Sequence, residues 1–256
     1  MSASRIAILM YHALDDRRSA ITLPPDRFER QVRWLRQKKI PILSLAQLCQ
    51  GLSGQGDLPP RAAVLTFDDG FESVYTRAFP VLQKYAAPAT VFLVSSYIGQ
   101  KNDWPGQPAA VPRYRLMDWP QIREMARHGI EFGGHTATHP PLDDLPSPRL
   151  REEVVASRRR LEDGLGRSVH YFAYPYGRSS PQVQAVVAGA YRGACTTRLA
   201  QVDQTDHPLA LPRVEALYVS SPVLLGLLFA LPGPAYLTLR GQLRHRAGQI
   251  LGRAWV

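Results

Sequence analysis

The sequence predicts an α/β fold in a single domain, built on a parallel sheet that is either closed into a barrel or wound on both faces. Three observations carry this expectation. Short apolar runs alternate with amphipathic stretches about seven times between residues 6 and 214, without a linker or internal repeat, which is the pattern of strand–helix units. The 256 residues are 45% apolar and 20% charged, the balance of an ordinary globular chain. Four polar groups, His12, Asp68-Asp69, His135 and Tyr174-Pro175-Tyr176-Gly177, each fall just after an apolar run. A parallel barrel gathers the C-terminal ends of its strands on one face, and active sites sit there.

The elements follow in order. Ile6 to Met10 reads as a first strand leading into Tyr11-His12. Asp26 is placed to cap a helix that carries Phe28, Val32 and Leu35 at i, i+4 and i+7, one apolar face of a 3.6-residue period. Trp34 lies in that helix and reads as packing. Ile40 to Leu43 is strand-like, and Ser44 caps a short helix after it. A Gly- and Pro-rich loop, Gly51 to Pro60, leads into the strand that ends at Thr66. Phe71 to Tyr85 has helical character, and Thr90 to Val94 is β-branched and aromatic, hence strand.

Residues 99 to 115 mix Gly, Pro, Trp and Arg without a period and read as a loop over a functional face. Asp118-Trp119-Pro120 is an N-cap followed by a helix-starting proline. Ile130 to Gly133 is a strand running into the histidines. Ser147-Pro148 starts the longest helix, with Leu150, Val154, Leu161 and Leu165 on one stripe. Val169 to Ala173 and Gly193 to Thr197 read as strands, Pro181 to Ala190 as a helix, and Leu211 to Val214 as the last strand.

Residues 216–256 form a separate C-terminal segment, apolar and then basic. Ala216 to Leu239 contains no charge, and Pro222 to Leu231 reads PVLLGLLFAL. The residue count would suit a membrane span, but Pro222, Pro232, Gly233 and Pro234 break it. The expectation is a helix packed on the barrel or lying in a bilayer interface. Arg240, Arg244, Arg246 and Arg253 follow and can meet anionic lipid.

The formal charge is +10, from 31 Lys+Arg against 21 Asp+Glu. Such an excess suits an acidic partner, either a phospholipid surface or a lipid-phosphate-linked substrate. Nucleic acid is not expected, because the arginines are scattered over several helices and no aromatic-basic motif is present. Cys49 and Cys195 form no C-x-x-C pair and read as small buried thiols. The first ten residues lack a basic region followed by a full apolar run, so a cytoplasmic location is expected, with peripheral attachment to the inner membrane face as the alternative.

The chemistry begins at Thr66-Phe67-Asp68-Asp69-Gly70. Two adjacent carboxylates at a strand end repel each other, and one pKa tends to rise. A cation held there relieves the repulsion. Gly133-Gly134-His135-Thr136-Ala137-Thr138-His139 supplies two imidazoles four residues apart. One Asp and two His suffice for a catalytic zinc-type site, and one Asp is left over for chemistry.

Together TFDDG, HTATH and YPYG resemble the successive motifs of the polysaccharide deacetylase family, carbohydrate esterase family 4, over residues 5 to 215. The resemblance implies a distorted (β/α) barrel with fewer than eight complete units and metal-dependent removal of N-acetyl groups from amino sugars. By position, Asp69, His135 and His139 then correspond to the metal ligands. Asp68 corresponds to the base that takes a proton from the attacking water. The backbone N–H of Tyr176 corresponds to the oxyanion donor.

The chain departs from the commoner family layout in two places. No Leu-x-x-His follows residue 200, and Phe172-Ala173-Tyr174 stands where an arginine is often found. Both departures resemble the circularly permuted branch that includes poly-N-acetylglucosamine deacetylases, in which an N-terminal aromatic-His pair supplies the acid. Met10-Tyr11-His12 matches it, so His12 is the expected acid. Arg213 is the expected replacement for the missing arginine, orienting Asp68. Tyr174, Pro175 and the loop residue Trp104 are the expected sugar contacts.

The expected function is a metal-dependent N-deacetylase acting on an N-acetylated amino-sugar glycan or lipid-linked sugar, with zinc, or else cobalt or nickel, as the divalent ion. The alternatives are a deformylase or other amidase on a small or nucleotide-linked substrate, and an inactive glycan-binding barrel. Retention of Asp68, Asp69, His135 and His139 weighs against the last.

Overall fold

The structure is a computed structural model that describes residues 5–230 and 233–251, with side chains described as far as residue 242. The expectations placed on the first four residues, on Leu231 and Pro232, and on Arg244, Arg246 and Arg253 lie outside what is described. In chain order the strands are β1 (Arg5–Tyr11), β2 (Ala13–Leu14), β3 (Thr22–Leu23), β4 (Ile42–Leu43), β5 (Arg61–Phe67), β6 (Thr90–Leu93), β7 (Glu131–Gly134), β8 (Tyr171–Ala173), β9 (Gly193–Cys195) and β10 (Val214–Glu215). The α-helices are α1 (Pro25–Gln37), α2 (Leu45–Leu52), α3 (Phe79–Lys84), α4 (Trp119–Arg127), α5 (Ser147–Arg151), α6 (Ser157–Leu165), α7 (Pro181–Ala188), α8 (Pro222–Leu228) and α9 (Gly233–Leu251).

Eight strands form one parallel sheet in the order β10-β1-β5-β6-β7-β8-β9, with β4 beside β5. β5 pairs with β4 at Ala63 and Val64 and with β6 at Thr66 and Phe67, so these two strands share one of its edges. The sheet curls until its ends approach. Leu211 bridges to Cys195 in parallel, and Val214 pairs with Leu9 of β1. Residues 211–215 therefore link β9 to β1 with no helix between. This is the distorted (β/α) barrel that was expected.

Alternation along the strands sorts the core in two. Ile6 and Ile8 of β1, Ala62 and Val64 of β5, Phe92, Ala173, Cys195 and Leu211 cluster on one face together with Leu45, Leu48 and Cys49 of α2. Ala7, Leu9, Ala63, Leu65, Val91, Leu93 and Phe172 cluster on the other with Phe28, Val32 and Leu35 of α1. The first set fills the barrel interior, and the second packs beneath the helices. Both cysteines are buried and unpaired.

Local signals held in most places. Ser44 with Gln47, and Asp118 with Gln121, form complete capping boxes. Asp26 does not cap α1. The helix begins one residue earlier, at Pro25, and Asp26 lies in its first turn, 2.6 Å from Arg30. Proline is preset for that first helical position. The 216–230 segment packs on the barrel wall. Ala216, Val219, Leu225, Leu228 and Phe229 are buried in the helix-facing core, Gln31 of α1 donates to the Ala216 and Val219 carbonyls, and Trp34 stacks on Phe229. Among the described residues no single helix is long and apolar enough to cross a membrane.

Candidate active site

The inward rows of the barrel end in the polar residues. Ile6, Ile8, Met10 and His12 alternate on one strand, Ala62, Val64, Thr66 and Asp68 on the next, and Leu211, Arg213 and Glu215 on the closing segment. His12, Asp68, Asp69, His135, His139, Tyr174 and Tyr176 line one pocket of about 420 Å³ at this end. The 99–115 loop contributes Trp104, Gln107, Pro108 and Val111 to its wall, and the C-terminal segment contributes Leu217 and Tyr218. Backbone packing fixes the approach of β7. A Cβ on Gly133 would lie 2.5 Å from the Phe92 ring and 2.7 Å from the Tyr171 carbonyl, so only glycine fits between β6 and β8.

Asp69, His135 and His139 present three ligand atoms to one point. Asp69 Oδ1 lies 3.5 Å from His135 Nε2 and 3.4 Å from His139 Nε2, and the two nitrogens are 3.2 Å apart. Ligands held at about 2.0–2.1 Å in a tetrahedral shell are themselves about 3.3–3.4 Å apart. Asp69 Oδ1 is buried with no hydrogen-bond partner. Burial first, and the Asp68 charge second, push its pKa well above the usual carboxylate range. Burial lowers the pKa of both imidazoles and keeps them neutral, as metal ligation requires. These groups fit a divalent cation, which would offset the repulsion between the carboxylates.

Asp68 is held differently. Arg213 donates from both terminal nitrogens to its two oxygens, each at 2.7 Å, the bidentate fork that suits a carboxylate. Arg213 Nε donates to the Thr196 carbonyl at 2.9 Å, and the whole side chain is buried. Burial acts to raise the Asp68 pKa, but Arg213 above all, with His135 and His12, holds it down to about 2. One carboxylate is thus kept charged by an arginine, and its neighbour is left open to a cation. His12 faces the same pocket with Nδ1 buried and unpartnered. Burial lowers its pKa to about 4; Asp68 opposes the shift, and Arg213 and His135 add to it.

Backbone strain gathers here. Six non-glycine residues among those described have positive φ. Lys39 and Ala86 follow helix ends, while Asp69 (70°), Thr136 (69°), His139 (63°) and Tyr176 (59°) are all at the site. Each costs about 1–3 kcal/mol and persists only where its surroundings enforce it. One enforcing residue was not foreseen. Glu153 is fully buried and accepts from Ala137 N at 2.9 Å, Thr138 N at 2.8 Å and Thr138 Oγ1 at 2.7 Å. It clamps the turn between the two histidines. Its signal in the sequence is a carboxylate next to the apolar stripe of Leu150, Val154 and Leu161. It sits in a π-helical turn, Glu152–Ala156, a distortion common near functional sites.

The expected sugar contacts are placed unevenly. Trp104 is only 2% exposed and stacks on His139 at 4.5 Å, so its indole supports a ligand side chain rather than standing open on the loop. Tyr174 is buried, and its hydroxyl donates to the Leu209 carbonyl. Pro175 is buried at the start of the turn that carries Tyr176. Tyr176 borders the pocket, with its hydroxyl 3.2 Å from His139 Nδ1.

Known proteins resemble this chain to differing extents. The chain is 27% identical to the YxkH protein of Bacillus subtilis over 212 residues, covering 82% of this chain and 71% of that one. It is 38% identical to the poly-beta-1,6-N-acetyl-D-glucosamine N-deacetylase of Escherichia coli strain K12 over 109 residues, 41% of this chain and only 16% of that protein. The fold matches the structure of IcaB from Ammonifex degensii with a TM-score of 0.77 and 28% identity, over 90% of this chain and 99% of that one. The polysaccharide deacetylase family model matches residues 55–191, which hold both aspartates, both histidines and Tyr176 but neither His12 nor Arg213. With more than half of its length matched in this way, the chain belongs to the polysaccharide deacetylase family.

Proposed function

We propose that the chain is a metal-dependent N-deacetylase acting on a glycan that contains N-acetylglucosamine. One observation carries the reading: a carboxylate locked in its charged form by Arg213 stands directly beside three ligand atoms converging on one point. Asp69, His135 and His139 would hold a divalent ion, which when bound would supply a Lewis acid for an amide carbonyl and for water. Asp68 accepts a proton from the water that adds to the acetyl carbon. The Tyr176 backbone N–H donates to the oxygen that gains charge. Cleavage of the carbon–nitrogen bond releases acetate, and the departing amine takes a proton from His12. The name of the Escherichia coli relative supports the sugar, although the matched part is a small share of that protein.

A second assignment of the acid is favoured by one observation. With its pKa lowered to about 4, resting His12 is neutral at pH 7. Asp68 can then return to the amine the proton it took from water, with His12 serving as a neutral hydrogen-bonding group. His12→Asn separates the two. If His12 is the acid, kcat falls about 10²–10⁴-fold. If Asp68 serves both steps, the loss stays within about tenfold and the acidic limb of the pH profile is unmoved.

The substrate is tested by measuring acetate and formate release from β-1,6-linked N-acetylglucosamine oligomers, lipid-linked N-acetyl sugars, nucleotide sugars and their N-formyl counterparts. Acetate from the oligomers is expected. Formate release alone would replace the reading with a deformylase.

A further inference from the structure

The two imidazoles of the ligand triad are held by different kinds of partner. His135 Nδ1 lies 2.7 Å from the Ala173 carbonyl. A carbonyl only accepts, so Nδ1 carries the hydrogen and Nε2 of the neutral ring presents a lone pair. His139 Nδ1 faces the Tyr176 hydroxyl at 3.2 Å, and a hydroxyl can either donate or accept. This second partner therefore adapts to what lies at the other side of the ring.

The other side faces the rest of the triad. His139 Nε2 is 3.2 Å from His135 Nε2 and 3.4 Å from Asp69 Oδ1. Without a cation, a hydrogen on His139 Nε2 meets the His135 Nε2 lone pair at 3.2 Å, and the phenol donates to Nδ1. Ligation through Nε2 requires that hydrogen to reside on Nδ1, and the phenolic oxygen must then accept it. The ring itself has little freedom to turn away. Trp104 stacks on it at 4.5 Å with 29° between the planes, and Tyr176 meets it edge-on at 4.8 Å. Tyr176 itself stands in left-handed backbone, with φ of 59°.

We infer that the Tyr176 side chain is a positioning residue for the second imidazole ligand, accepting the His139 Nδ1 hydrogen and so holding Nε2 toward the cation. This role is separate from that of the Tyr176 backbone N–H, and it rests on the reading of the triad as a cation site. It has a consequence for substrate. Once the oxygen accepts from His139, the phenolic hydrogen is free to turn into the pocket, so the loaded site offers a donor that the empty one does not.

Tyr176→Phe keeps the ring, its packing and the backbone N–H and removes one oxygen. Zinc affinity of the metal-free wild type and the variant is measured by competition with a chromophoric chelator, alongside circular dichroism and thermal unfolding of both metal-free proteins. The variant is expected to bind zinc about 10–100-fold more weakly, as for loss of an outer-shell partner of a ligating histidine, with an unchanged fold. An affinity within about threefold of wild type overturns the inference. Should the variant not fold, the same bond is read in zinc-loaded wild type by ¹⁵N-edited NMR. Slow exchange of the His139 Nδ1 hydrogen supports the inference, and exchange at the solvent rate overturns it. A wild type that binds no zinc removes the cation site itself, a result distinct from a loss confined to the variant.

Discussion

Asp68→Asn is expected to abolish useful turnover while leaving metal binding intact. The substitution keeps the shape of the side chain and removes its ability to take a proton. The ligand atoms belong to Asp69, His135 and His139, so one divalent ion per chain should still bind with near-wild-type affinity. Loss of a general base typically lowers kcat about 10²–10⁴-fold. Arg213 would face a neutral amide in a buried site, so some stability should be lost too. The measurement is metal content together with kcat on the preferred substrate. A variant with full metal and near-normal kcat would show that Asp68 is not the base.

Arg213→Met is expected to be as damaging for a different reason. Both charges are buried, and removing one partner of such a pair typically costs about 3–5 kcal/mol because the other charge is left uncompensated. With Arg213 present, the Asp68 pKa is depressed to about 2, below its unfolded value of about 3.9. The pair therefore adds stability above pH 4, and that contribution is lost as pH falls through about 2. Without the arginine, burial and Asp69 dominate and the shift changes sign. The variant should then lose stability relative to wild type as pH rises from 4 to 8, and the acidic limb of its kcat/KM profile should move upward. Denaturant unfolding at several pH values and a pH–rate profile check both. An unmoved acidic limb would mean that Arg213 does not set the charge of Asp68.

Much of this was legible from residue order because strands impose a simple rule. An inward row that reads Ala62, Val64, Thr66, Asp68 places its last member on the barrel axis, and the same parity brings in His12 and Arg213. The contact from Arg213 to Asp68 spans 145 positions in sequence, yet both residues stand on inward rows. Glu153 has only a weak signal, a carboxylate next to the apolar stripe of Leu150, Val154 and Leu161, and its acceptor role shows only in the fold. The burial of Trp104 was not legible for a related reason. An aperiodic loop gives no periodicity from which to read burial, and here the loop brings the indole into the pocket wall, where it stacks on His139. The false cap at Asp26 shows a smaller ambiguity, since Pro25 and Asp26 both mark a helix start and the proline marks the first turn.

The C-terminal segment shows where composition alone stops. Its uncharged run suits a bilayer as well as a protein core. In the structure its buried side chains face α1, and the helices Pro222–Leu228 and Gly233–Gln242 are bent by 110° relative to each other. It also supplies Leu217 and Tyr218 to the pocket, which ties it to the substrate side of the barrel.

The central claim is that Asp69, His135 and His139 hold one divalent ion on which acetate release depends. The most direct test strips the protein with chelator, confirms that it remains folded, and titrates zinc back while measuring bound metal and acetate release from N-acetylglucosamine oligomers. The expected result is no release without metal and release that rises in proportion to occupancy, reaching its plateau at one ion per chain. Full acetate release by the stripped protein, or a fully loaded protein in which Asp69→Ala binds metal as tightly as wild type, would contradict it.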